Sequence, residues 1–156
     1  MATSAFQNNH STIGLAPVAD AFSGTVYSDV VSLAAHNETK FTIIKGVGTT
    51  GTSTITVQAC DNFTPSNRSA IPFRYRACTT MDTWGEWTQC AATGFTTTAG
   101  SNQLYEVEVR AEDCTTGYPN AQLKAVEVAN DPVLGGILIT MGTPKYGGES
   151  QSSVIA

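Results

Sequence analysis

Charge is scarce in this sequence. Asp, Glu, Lys and Arg make up 13% of its 156 residues, against roughly 25% in an average globular domain. What charge there is leans acidic, with 13 Asp and Glu against 8 Lys and Arg and a formal net charge of −5. No Lys/Arg cluster occurs; the longest basic pattern is Arg74 and Arg76, two apart. A nucleic-acid binder needs a basic stripe to displace counterions from phosphates, so that class is excluded. Histidine is limited to His10 and His36. A Ser-His-acid relay requires an imidazole oriented by a carboxylate and touching a hydroxyl. His36 has Asn37 and Glu38 beside it, in what reads as a turn before a strand, and is expected to be solvated or to cap that turn. No G-x-S-x-G, H-E-x-x-H or P-loop pattern occurs, so no enzymatic activity and no cofactor are expected. Cysteine stands at Cys60, Cys78, Cys90 and Cys114 without a C-x-x-C pair or a histidine nearby in sequence. Zinc is therefore not expected, and the cysteines read as free thiols at strand ends. Asp61, Asp82 and Asp131 fall in loops, but none sits in a D-x-D-x-D-G calcium pattern.

Long apolar runs are also missing. The longest, from Pro132 to Ile139, is broken by Gly135 and Gly136, far short of the roughly 20 residues a membrane helix needs. The first ten residues carry neither a basic nor an apolar segment of the secretory type. The expectation is a soluble protein made in a cytosol.

What fills the chain instead is Thr, Ser, Gly and Ala. Thr is β-branched and suits the pleated, half-buried surface of a sheet. A neutral hydrogen-bonding surface also packs against protein with little cost in desolvated charge. Apolar and polar residues alternate, with a period of two, in several segments. These are Thr25 to Ala34, Lys40 to Lys45, Ser53 to Cys60, Ile71 to Cys78, Trp84 to Cys90, Leu104 to Ala111, Gln122 to Ala129 and Gly136 to Met141. In Gln122 to Ala129, Val126 and Val128 are expected to point inward. The last segment is apolar on both faces and reads as a central strand. Stretches 61–70, 94–103 and 112–121 read as loops from their Asn, Asp, Pro, Ser and Gly content. About eight strands with no persuasive amphipathic helix predict an all-β fold, a single β-sandwich or jelly-roll-like domain over 25–142. Residues 1–24 read as an extended N-terminal arm and 143–156 as a C-terminal tail.

Two constellations stand out. Glu106 and Glu108 share one strand face, a spacing that glycosidase carboxylates use; a solvated, salt-linked face with Arg110 or Lys124 as partners is the reading adopted. Trp84 and Trp87, three apart, follow the strand carrying Tyr75. As core or interface anchors they are the stronger candidates for contact; stacking on sugar rings is the alternative. Arg74 and Arg76 alternate outward on their strand, where they can meet acidic residues of a partner. Phe6 and Tyr146, one in each arm, complete the candidate binding residues.

The phrases Phe41-Thr42-Ile43-Ile44-Lys45-Gly46, Gly48-Thr49-Thr50-Gly51-Thr52, Ile71-Pro72-Phe73-Arg74-Tyr75-Arg76, Asp82-Thr83-Trp84-Gly85-Glu86-Trp87 and 132–140 together resemble the decoration, or cement, proteins of tailed-bacteriophage heads. The resemblance spans roughly residues 25–146. It implies a virion structural protein on the outer capsid surface, often trimeric, that clamps neighbouring major capsid proteins. It equally allows a tail or neck component of the virion, and a carbohydrate-binding sandwich using Trp84, Trp87 and Tyr75 is the competing reading.

Overall fold

The computed structural model describes residues 6–145. It contains twelve β-strands: β1 (His10–Val18), β2 (Thr25–Tyr27), β3 (Val31–Ser32), β4 (His36–Lys45), β5 (Thr52–Cys60), β6 (Arg68–Ile71), β7 (Phe73–Cys78), β8 (Thr88–Cys90), β9 (Phe95–Thr96), β10 (Gln103–Arg110), β11 (Asn120–Ala129) and β12 (Gly135–Pro144). One 3₁₀ turn, Ala111–Asp113, follows β10. All pairings are antiparallel. The first sheet runs β1-β12-β4-β10-β7-β8; the second runs β2-β11-β5-β6, with β3 added on β11 and β9 on β5.

The all-β sandwich read from the sequence is the observed architecture. The alternating residues of the two sheets meet in one core. Phe41, Ile43, Phe73, Tyr105, Val107, Val109, Ile137, Ile139 and Met141 come from the first sheet; Ile55, Val57, Ala59, Ile71, Ala121, Leu123 and Ala125 come from the second. Leu104 to Ala111 and Ser53 to Cys60 alternate as their sequences require, because each strand has one wet and one dry face. Gly136 to Met141 lies within β12, which is flanked by β1 and β4. At Gly135 a Cβ would stand 2.3 Å from the carbonyl oxygen of Ile44, so the close approach of β12 to β4 requires glycine there.

Several expectations are corrected. Residues 1–24 are not a free arm throughout, since 10–18 form edge strand β1, paired with β12; its Pro17 and its register shifts hide the alternation that marks other strands. Thr25 to Ala34 is two short strands, β2 and β3, rather than one. β9 and the first three residues of β6 lie inside stretches read as loops, being too short to show a period, and Ile71, read as opening the strand that runs to Cys78, closes β6 on the second sheet while β7 starts at Phe73. The tail read as starting at 143 still belongs to β12 up to Pro144. Val128 points outward and is 62% exposed, whereas Ala121, Leu123 and Ala125 are fully buried. Val126 and Val128 share the parity of Lys124, and a lysine marks the wet face. His36 is not solvated: it opens β4 and is 2% exposed. Its Nε2 has no hydrogen-bond partner among the described residues. Burial, with His10 adding a repulsive charge, lowers its pKa from the ordinary imidazole value.

Candidate interaction face of the first sheet

Strand register places the outward residues of the first sheet in rows. One row reads Ile13, Leu138, Thr42, Glu106, Arg76 across β1, β12, β4, β10 and β7. The next reads Ser11, Thr140, Lys40, Glu108, Arg74, Gln89, ending on β8. Charge is thus gathered on β4, β10 and β7, while Ile13 and Leu138, with Ile44 one row over, leave the β1 side apolar and exposed.

The charged half is self-neutralised. Glu106 accepts hydrogen bonds from Lys40 Nζ at 2.8 Å and from Arg76 Nε at 2.7 Å. Glu108 accepts from Arg74 through Nε at 2.9 Å and Nη2 at 2.5 Å, and Arg110 lies 3.6 Å away. The glutamate side chains are only 9% and 13% exposed, their cations 31–48%. Burial raises the pKa of Glu106, but hydrogen bonds and charge from Lys40 and Arg76 outweigh it and hold the carboxyl below its ordinary value. Such short, charge-assisted bonds are the stronger kind.

The segment carrying the two tryptophans is laid along this half by a hydrogen bond from Gly85 N to the carbonyl of Ala77, at 2.9 Å. Arg76 stands 4.5 Å from the ring of Trp84 and 4.9 Å from that of Trp87, and Arg74 stands 5.2 Å from Trp87. The order is Trp84, Arg76, Trp87, Arg74, cations and rings alternating. Neither tryptophan enters the core, and Trp87 is 36% exposed. Two polar hollows flank Glu108. One of about 160 Å³ lies toward Gln89 and Asp113, and one of about 190 Å³ toward Glu38 and Thr140.

Of the candidate binding residues, the structure brings Arg74, Arg76, Trp84 and Trp87 together on one face. Tyr75 is not with them. It points inward and stacks on Phe95 at 3.8 Å between ring centroids, which removes it from a shared sugar platform. Glu106 and Glu108 do share a salt-linked face, with Arg110 beside them, but Lys124 lies on the second sheet. Phe6 is exposed before β1, and Tyr146 lies outside the described residues. Lys40 was missed by the sequence reading; only the β4–β10 register, which puts it opposite Glu108, reveals it. Cys60, Cys78, Cys90 and Cys114 are free thiols, and burial raises those of Cys60 and Cys114 to about 11. Among the described residues no three His, Cys, Asp or Glu side chains form a metal-binding group, and no helix is long and apolar enough to cross a membrane.

No protein-family model and no curated protein matches the chain. Among solved structures it is similar to the SPBc2 prophage-derived protein YomS, with 14% identity, a TM-score of 0.42, and coverage of 84% of this chain and 92% of that one.

Proposed function

We propose that this chain is a virion structural protein that binds the outside of a bacteriophage capsid and bridges major capsid proteins, acting by contact rather than by catalysis. The observation that carries the reading is the outer face of the first sheet. Its charges are already paired within the molecule, and its tryptophans are held by guanidinium groups. A partner covering such a face desolvates few unpaired charges and freezes few loose side chains. Exposed Ile13, Ile44 and Leu138 extend the same face with apolar area. Aromatic and arginine side chains are those enriched in protein interfaces. The resemblance of the sequence to head decoration proteins supplies the partner. A shell offers many identical seams, so modest contacts add by avidity, and binding to the assembled shell stabilises it by mass action. Assembly of this chain as a homotrimer belongs to the same reading.

The test is co-sedimentation of purified protein with phage heads that lack it. Saturation at a fixed ratio to capsid subunits is expected, and a truncation removing residues 1–9, which leaves all the described strands in place, should weaken it without unfolding the domain. Absence of any association with heads would overturn the reading.

A further inference from the structure

A bridging protein needs a second contact surface, and the outer face of the second sheet differs in kind from the first. Its rows read Tyr27, Lys124, Thr56; Thr25, Val126, Thr54, Thr96; Gln122, Gln58, Ala70; and Asn120, Cys60, Arg68, of which Gln122, Asn120 and Cys60 are buried. These rows contain no carboxylate. They contain two cations, Arg68 and Lys124, on a chain whose net charge is −5.

Both cations gather on one exposed ring. Arg68 stands 5.1 Å and Lys124 5.9 Å from the centre of Tyr27, which is 39% exposed. Neither has a carboxylate within salt-bridge distance among the described residues, whereas Lys40, Arg74, Arg76 and Arg110 all do. Arg68 donates Nε to Gln122 Oε1 at 3.2 Å, which orients the guanidinium and leaves its terminal amino groups without a hydrogen-bond partner among the described residues. Asp61, the acid nearest Arg68 in sequence, already accepts bonds from Asn62, Ser66 and Asn67 in its own loop.

We infer that the outer face of the second sheet docks on a protein surface that presents carboxylates, with Tyr27 as the central contact and Arg68 and Lys124 as the charge-pairing groups. An oriented guanidinium fork matches a carboxylate in two-point geometry. The flanking Thr25 and Thr56 hydroxyls offer neutral hydrogen bonds around it. Because the molecule as a whole is negative, an acidic partner is repelled from its other surfaces and reaches this one in a single orientation. The inference deepens the capsid reading by giving the chemistry of one partner surface, and its test separates the two.

Binding of poly-L-glutamate to the full chain is measured by calorimetry or fluorescence anisotropy at low and moderate salt. The wild-type chain should bind, more weakly as salt rises. The double variant Arg68→Gln with Lys124→Gln should lose at least about tenfold in affinity, the scale of one good charge-paired contact. Arg68→Glu with Lys124→Glu should lose binding altogether, while Ile13→Ser on the other sheet should bind like wild type. Circular dichroism confirms that each variant is folded, and these exposed or half-exposed sites are not in the core. Equal binding by wild type and Arg68→Gln/Lys124→Gln, or no binding by either, overturns the inference. Tighter, Arg68-dependent binding of a single-stranded DNA oligonucleotide overturns it in favour of phosphate. In parallel the variants are sedimented with heads. Residue-dependent binding to polyglutamate without any association with heads leaves this surface assignment standing and removes the capsid reading alone.

Discussion

Replacing Glu106 by Gln tests the ion-pair ladder of the first sheet, because the amide has nearly the shape of the carboxylate but loses its charge and turns one of its two accepting oxygens into a donor. The carboxylate is 9% exposed and accepts two charge-assisted hydrogen bonds, from Lys40 and Arg76. Each such bond contributes roughly 1.5–3 kcal/mol when intact. Both cations remain about a third exposed and rehydrate once released, which discounts the sum to about 2–3 kcal/mol. For a domain of this size that corresponds to a fall in Tm of roughly 4–12 °C. In urea titrations the midpoint should drop with the m-value unchanged, because the surface exposed on unfolding is the same. The pH dependence supplies a second signature. Interactions with Lys40 and Arg76 hold the Glu106 carboxyl below its ordinary value of 4.5. Its contribution is therefore complete above that pH and is lost as pH falls through the depressed folded-state value. The difference between wild type and Glu106→Gln should close in acid. A loss below about 0.5 kcal/mol would put the ladder among ordinary surface ion pairs and refute the argument that it holds this face together; a difference that stays constant into acid would refute its electrostatic cause.

Leu123→Ala should cost about 2–5 kcal/mol while Val128→Ala stays within about 0.5 kcal/mol, a contrast read by thermal unfolding that reverses if β11 faces the other way. His36, buried with an unpartnered Nε2 and a lowered pKa, should make the fold lose stability as pH falls below the ordinary imidazole value of 6.5, where the unfolded chain binds the proton first; His36→Leu should flatten that limb in unfolding experiments between pH 7 and 5. Gly94 has φ +83°, and a Cβ there would lie 2.1 Å from the carbonyl oxygen of Ile55. Gly94→Ala should therefore cost more than about 1 kcal/mol in urea unfolding.

The parts of the fold that the sequence reveals are those where burial imposes a period. β5, β7 and β10 place apolar residues at every second position, with polar or charged ones between, and their facing is as read. The failures have definite causes. β11 offers two apolar phases, Ala121-Leu123-Ala125 and Val126-Val128; bulk favours the valines, but the shift between Glu127 and Ala129 changes the register there, and Lys124, the charge amid the regularly paired part of the strand, identifies the outer phase. β3 and β9 are two residues each, shorter than any period. β1 is an edge strand whose outward Ile13 and irregular pairing break the alternation that a doubly flanked strand keeps. His36 looked like a turn residue because Asn37 and Glu38 follow it, yet its partner across the ladder is Pro144, more than a hundred positions away.

The same limit governs the candidate sites. Arg74 and Arg76 are the most conspicuous cations in the sequence, two apart on one strand, and the outward facing expected of them is correct. What parity within a strand does not convey is which charge the neighbouring strand brings. β10 sets Glu106 opposite Arg76 and Glu108 opposite Arg74, so the obvious basic pair is already bound internally. It serves to stiffen a face rather than to attract a partner. Arg68 ends a Ser- and Asn-rich loop and Lys124 sits alone in a run of Ala, Leu and Val, so neither draws notice. Yet β11 and β5 bring them around Tyr27 on a sheet whose outer rows hold no acid. A cation's capacity to recognise something outside the molecule depends on whether the fold has already supplied its counter-charge. In this protein the pairing across β10 and the lack of acids in the outward rows around Tyr27 reverse the ranking that sequence prominence suggests.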